Sequence, residues 1–216
     1  MKNKLFFQYS GSCFLLLFAF LSYLVKFYPS WLTTFDQTIT HWVYHLHPGA
    51  NSFFIWITKF GNPASVILLF LAILFLLVYG KLYTDAFWLS IGFIGISGLL
   101  NPLLKAFFMR ERPTLEHLVI ETSYSFPSGH AVTSMILYGS LLLLIPQFFR
   151  SKNLQIFFKV FLGLLIFLIG MSRIYLGVHF PSDIIGGYTL GLSWLLFSYP
   201  YYREERLKWK IKGKQN

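Results

Sequence analysis

The sequence predicts an all-α polytopic membrane protein: a six-transmembrane-helix bundle with a short interfacial helix between spans one and two. Three observations carry that expectation. Hydrophobic residues make up 56% of the chain and charged residues 12%, where a soluble domain carries roughly a quarter charged residues. Apolar runs recur along the whole chain, and about 20 apolar residues suffice to cross a hydrocarbon layer of ~30 Å. No polar block is long enough to form a separate soluble unit, so residues 1–216 read as a single integral membrane domain.

The elements follow in order. The first span is expected at 12–28. Residues 1–4 and the apolar run after them resemble a secretory signal, but no small-residue cleavage site follows, and a retained span is the expectation. Cys13 is the only cysteine, which excludes an intrachain disulfide. Residues 29–54 carry Trp31, Phe35, Trp42, Tyr44, His41, His45 and His47 with few charges. Rings with polar tips favour the headgroup zone, so this stretch is expected to lie flat at the surface. His41 and His45 share a helix face, yet no cysteine and no carboxylate beyond Asp36 stands at ligand spacing, and the interfacial role is favoured over a metal site. The remaining spans are expected at 63–79, 86–108, 130–149, 154–171 and 182–199, with glycines inside them allowing close helix approach.

Net charge is +10, and six of the 18 Lys and Arg residues fall in 203–214. A basic balance can signal nucleic acid, but these cations form no stripe on a soluble face, and no nucleic-acid partner is expected. They fit a cytoplasmic end resting on anionic lipid. With alternating spans, one face collects Lys2, Lys4, Lys81, Arg150, Lys152 and the tail cations. The other collects Lys26, Lys59, Lys105, Arg110, Arg112 and Arg173. The first set is the larger, which places both termini in the cytoplasm.

Three short motifs interlock on the opposite face. They are KAFFMRERP (105–113), SFPSGH (125–130) and SRIYLGVHFPSD (172–183). Two expected spans separate the second from the third, so all three share one side. In the first, Lys105 and Arg112 stand two helical turns apart and project from nearly one side if the helix continues, although Pro113 restricts Arg112 to extended backbone. Cations at the mouth of a span are costly unless they meet an anion, and phosphate suits an Arg fork and a Lys point charge. In the second, Ser128 is placed to cap a helix, Gly129 lets backbone approach a ligand, and His130 enters on the first turn, where free N–H groups attract anions. In the third, Arg173 ends a span. His179 and Asp183 stand four apart and meet if the next helix has begun, with Pro181 suited to its first turn. A carboxylate on one ring nitrogen fixes the tautomer and frees the other as a nucleophile. Read singly, each motif has an ordinary structural explanation; together they assemble the groups that phosphoryl transfer requires.

These motifs resemble those of the type 2 phosphatidic acid phosphatase superfamily, whose pattern is Lys-x6-Arg-Pro, Pro-Ser-Gly-His and Ser-Arg-x5-His-x3-Asp. Every fixed position is present: Lys105, Arg112, Pro113, Pro127, Ser128, Gly129, His130, Ser172, Arg173, His179 and Asp183. The resemblance implies a lipid phosphatase that uses no metal and no other cofactor and works through a phosphohistidine. It implies His179 as nucleophile, Asp183 as its orienting partner and His130 as the acid. Lys105, Arg112, Ser128, Gly129 and Arg173 would hold the phosphoryl oxygens. The expected partner is a membrane lipid in the bilayer. Undecaprenyl diphosphate on the outer face of the plasma membrane is the leading candidate; phosphatidylglycerophosphate or phosphatidate is the alternative. A vanadium haloperoxidase shares these residues but is soluble, and a transporter on the same fold would be expected to have lost the two histidines and the aspartate.

Overall fold

The computed structural model describes residues 3–213, and these are helical with connecting loops and no strand. Lys2 and Lys214 of the basic-residue count lie outside the described residues. The first helix, α1 (Lys4–Phe27), is followed by α2 (Ser30–Tyr44) and α3 (Asn51–Thr58), then by α4 (Pro63–Tyr79). Next comes a continuous rod of 26 residues, Tyr83–Phe108. It runs as α5 (Tyr83–Ser90), a π-helical stretch Ile91–Leu100 and α6 (Asn101–Phe108). The bundle closes with α7 (Gly129–Phe148), α8 (Lys152–Tyr175) and α9 (Pro181–Ile211).

Four helices among the described residues are long and apolar enough to cross a membrane: Lys4–Phe27, Tyr83–Phe108, Gly129–Phe148 and Lys152–Tyr175. A fifth is reached if Asn51–Gly61 and Pro63–Tyr79, bent by 47°, count as one span. The expected sixth, 182–199, falls inside α9, which is not among them. The reason is its position. α9 lies along α1 on one side and α7 on the other. It therefore presents Gly186, Gly187, Gly191 and Ser193 to neighbouring helices instead of leucines to lipid. Its 31 residues span about 46 Å at ~1.5 Å per residue, more than the ~30 Å hydrocarbon layer.

The stretch 29–54, expected to lie flat at the surface, folds as α2 and the start of α3. Its histidines are placed differently from one another. His41 and His45 face each other, Nε2 to Nε2 at 3.0 Å. His47 stacks on Tyr175 and donates to the Tyr175 carbonyl at 2.8 Å, which ties this layer to the end of α8.

Two helices end and two begin at one pole of the bundle. There α6 and α8 terminate and α7 and α9 start, so the three motifs converge. The first motif departs from expectation. Its helix stops at Phe108, and Met109 adopts a left-handed backbone with φ 50°, a conformation that non-glycine residues avoid. Lys105 and Arg112 therefore do not share a helix face, and Arg112 approaches from a separate extended segment. The turn after α8 also needs positive φ. Gly177 sits at φ 75°, and a Cβ there would lie 2.5 Å from the Glu116 carbonyl, so the turn leading to His179 is closed to larger residues.

Candidate active site

Lys105, Arg112, Gly129, His130 and His179 line one cavity of about 700 Å³, together with Asn62, Glu121 and Ser123. Ser128, Arg173 and Asp183 are buried behind its wall. All eight residues picked out from the sequence thus gather at one pole.

Local folding explains the central pair. Pro181 opens α9 with its missing N–H where no helical bond is needed. Asp183 is the third residue of that helix, and its Oδ2 accepts the Phe180 N–H at 2.9 Å, capping the helix start. The same oxygen is 3.2 Å from His179 Nδ1. On the far side of the ring, Nε2 is 3.3 Å from Arg112 Nη1. A guanidinium only donates, so Nε2 is the acceptor and Nδ1 carries the proton, donated to Asp183. The lone pair of Nε2 points at the cations. Burial holds the His179 imidazole well below its ordinary pKa, and Lys105, Arg173, Arg112 and Arg110 push the same way. The ring is neutral at pH 7.

Asp183 is fully buried, and an unpaired buried charge costs several kcal/mol. Its Oδ1 accepts from Arg110 Nη1 at 2.5 Å, which maintains the carboxylate. Arg110 reaches further. Its Nη2 is 2.8 Å from Asp36 Oδ2, and its plane lies over the Phe180 ring at 4.2 Å.

The cationic wall is built from loops. Arg112 donates to the carbonyls of Ser123 (2.8 Å) and Val178 (2.7 Å) and reaches Glu121 Oε2 at 3.4 Å. Arg173 donates to Thr58 Oγ1 at 2.8 Å and pairs with Glu121. Lys105 Nζ donates to the Tyr124 and Ser125 carbonyls. Ser128 occupies the residue before α7, but its hydroxyl does not cap that helix, contrary to expectation. Among the described residues, Ser128 Oγ and Arg173 Nε are buried with no hydrogen-bond partner. Such groups are costly, and a hydroxyl and a guanidinium N–H left over beside two further cations match the oxygens of a phosphoryl group.

On the other side of the cavity, His130 Nε2 is 3.0 Å from Asn62 Oδ1. The amide oxygen accepts Nε2–H, which leaves Nδ1 as the exchangeable position. Gly61 makes this approach possible, since a Cβ there would lie 2.6 Å from His130 Cδ2.

Four participants escaped the sequence reading: Asn62, Glu121, Arg110 and Asp36. Asn62 and Glu121 stand outside the motifs, and nothing local marks them. Arg110 lies inside the first motif as a third cation. Asp36 is the only carboxylate between residues 29 and 58, which is the signal that could have found it. Ser123 and Ser125, which had no assignable role, serve the loop. Ser123 receives Arg112, and Ser125 bonds the Arg110 and Glu111 carbonyls.

A helical bundle whose pole carries a carboxylate-held histidine facing three cations defines a membrane phosphoryl-transfer class. Residues 86–207 match the PAP2 superfamily, and the chain belongs to that superfamily, the one its motifs resemble. It is 39% identical over 116 residues to phosphatidylglycerophosphatase B of Bacillus subtilis, covering 53% of this chain and 56% of that protein. It is 28% identical over 158 residues to undecaprenyl-diphosphatase BcrC of the same organism, covering 70% and 75%. Among solved structures, the transmembrane PAP2-type phosphatidylglycerolphosphate phosphatase from Bacillus subtilis superposes with a TM-score of 0.79 at 28% identity. That match covers 92% of this chain and 98% of the other. The protein is a membrane protein of a lipid phosphatase family.

Proposed function

We propose that this chain hydrolyses a lipid phosphate through a phosphohistidine. The carrying observation is His179: Asp183 holds Nδ1 while Nε2 faces the cavity beside Arg112. Nε2 attacks phosphorus, and the bond from phosphorus to the lipid oxygen breaks. His130, protonated at Nδ1 beside the bound phosphoryl group, gives that oxygen a proton and becomes neutral. Water then attacks the phosphohistidine, returning a proton to His130 and releasing phosphate. Lys105, Arg112, Arg173, Ser128 Oγ and the Gly129 N–H bind the phosphoryl oxygens. Positioning and charge stabilisation are most of what phosphoryl transfer demands.

A lipid substrate is supported by the rest of the cavity wall. Pro63, Val66, Ile67, Phe93 and Ile120 continue it as an apolar surface toward the bundle's flank. Phosphatidylglycerophosphate is the first substrate to test, given the likeness to a phosphatidylglycerophosphatase over nearly the whole fold. Undecaprenyl diphosphate is the second reading, favoured by the likeness to an undecaprenyl-diphosphatase. Phosphate release by the purified protein from a panel of both lipids and phosphatidate decides. A preference of at least tenfold in kcat/KM ranks them, and no release from any refutes the reading.

We further infer one domain with six crossings, α4 and α9 included, both termini in the cytoplasm and the site at the outer face of the plasma membrane. Basic residues support the orientation. In a chain with Cys13 replaced, cysteines at Glu116 and at Lys212, both exposed, report it. An impermeant thiol reagent on intact cells should label position 116 and spare 212 until the cells are opened; the reverse labelling inverts the topology.

A further inference from the structure

We propose that Arg110 and Asp36 are positioning residues that hold the Asp183–His179 pair in its reactive state and couple it to the surface helix α2. The inference rests on His179 being the nucleophile. The observation is a closed network. Arg110 bridges two carboxylates, giving Nη1 to Asp183 Oδ1 at 2.5 Å and Nη2 to Asp36 Oδ2 at 2.8 Å. Asp36 in turn grips the start of α9. Its Oδ1 accepts the Ser182 N–H at 2.8 Å, and its Oδ2 accepts the Ser182 hydroxyl at 2.8 Å. Arg110 Nη1 also reaches Ser182 Oγ at 2.8 Å, and Phe180 covers the guanidinium face.

Every member of this network is buried or nearly so. Asp36 is 3% exposed, although it sits on a helix whose other polar residues face outward. A carboxylate is drawn into such a place only by partners, and its partners are Arg110 and the residue adjoining Asp183. Neither terminal nitrogen of Arg110 is spare for substrate, since both are engaged on Asp183, Ser182 and Asp36. Its task is to keep Asp183 ionised and aimed. If Asp183 took a proton, it would donate to His179 Nδ1 and move the ring proton to Nε2, which removes the nucleophilic lone pair. Asp36 fixes Arg110 in the bridging pose and pins the first turn of α9, which carries Asp183.

The charges around the pair set the sign of the pH response. His179 and Asp183 face Lys105 from α6, Arg110 and Arg112 from the following loop, His130 from α7 and Arg173 from α8. Asp36 on α2 lies behind Arg110. Loss of Arg110 removes a cation, so His179 gains a proton at higher pH. Loss of the Asp36 charge removes an anion and does not raise protonation.

The test uses full-length protein, a lipid phosphate and an aryl phosphate, with His179→Ala alongside. Arg110→Gln should lower kcat about 100-fold, leave KM within about twofold, and move the acid limb of kcat to higher pH. Arg110→Lys should restore the acid limb through its charge but recover kcat only in part, because one ammonium cannot span both carboxylates. Asp36→Asn should lower kcat about tenfold without raising the acid limb. The double variant Asp36→Asn/Arg110→Gln should be no slower than Arg110→Gln, as expected for residues acting as one unit. Normal kcat and acid limb in Arg110→Gln, a loss confined to KM, or additive losses in the double variant would each overturn the proposal. If Arg110→Gln does not insert, the Arg110→Lys and Asp36→Asn arms still decide. Turnover by His179→Ala would instead refute the nucleophile on which the proposal stands.

Discussion

The two poles of the bundle each bury a carboxylate against an arginine, and of these two only one, the proposed catalytic pole, sets a histidine beside the carboxylate. At the catalytic pole Asp183 meets Arg110 and His179. At the other pole Asp85, also fully buried, receives Tyr202 Oη at 2.8 Å, Arg206 Nε at 3.2 Å and Thr84 Oγ1 at 3.4 Å. Tyr202 lies 19 residues along α9 from Asp183, about 28 Å away at ~1.5 Å per residue. Burial and pairing are therefore poor markers of function by themselves. The difference is in the chemistry of the partners. Asp85 ties α5 to α9 through a phenol, a guanidinium and a hydroxyl that all donate to it. Asp183 instead orients a ring whose second nitrogen opens into a cavity, next to a hydroxyl and a guanidinium nitrogen that lack protein partners.

The contrast breaks most readily at His179 and Asp85. His179→Ala should abolish phosphate release, a loss of at least about 10⁴-fold, while the melting temperature stays close to that of the parent. Asp85→Ala should do the reverse. It leaves the Tyr202 hydroxyl without the acceptor that Asp85 supplies, a cost of about 1–3 kcal/mol, which lowers the melting temperature by several degrees at ~2–4 °C per kcal/mol. Its kcat should remain within about twofold. Equal loss of turnover in both variants would mean that the poles are coupled and the division drawn above is wrong.

His130→Ala sharpens the reading within the catalytic pole. With an alkyl phosphate the leaving oxygen needs a proton, and kcat should fall about 10²–10⁴-fold. With a nitrophenyl phosphate the leaving group departs as an anion, and most of that loss should vanish. Equal losses on both substrates would remove the general-acid role. Asn62→Ala should follow the same pattern more weakly, because Asn62 orients the ring without exchanging a proton.

Much of the catalytic pole was legible because its residues are tied to helix ends. Lys105, His130, Arg173 and Asp183 sit within one or two turns of a terminus, and apolar runs mark termini well. The His179–Asp183 pairing followed from i to i+4 spacing at a helix start, and the helix start followed from Pro181. Three things were hidden. The stop of α6 at Phe108 depends on Met109 entering left-handed space, for which the sequence offers no glycine or asparagine. Asn62 and Asp36 reach the site from segments far away in sequence, and Glu121 from the loop between the first two motifs, through contacts that no local period encodes. The packing of the span expected at 182–199 was hidden as well: the apolar run that marks it gives no sign that α9 carries small and polar residues along the faces that touch α1 and α7.

The smallest predicted effect concerns pH, and it tests whether the cations at this pole act on the nucleophile as well as on the substrate. His179 is held well below its ordinary value near 6.5, first by burial and then by Lys105, Arg173, Arg112 and Arg110. A lowered histidine pKa means that the neutral, attacking form persists as pH falls, and it is lost only when pH drops through the depressed value. With a nitrophenyl phosphate, which departs without a proton from His130 and whose own ionisation is complete by pH 6, kcat should therefore hold nearly flat from pH 7.5 to about 6 and decline only further down. Arg112→Gln removes the guanidinium at 3.3 Å from Nε2 and should move the decline toward neutral pH, in addition to weakening phosphoryl binding. A parent enzyme that loses half its kcat near pH 6.5 would show a histidine of ordinary basicity. In that case the cations of this pole would serve the phosphoryl group alone.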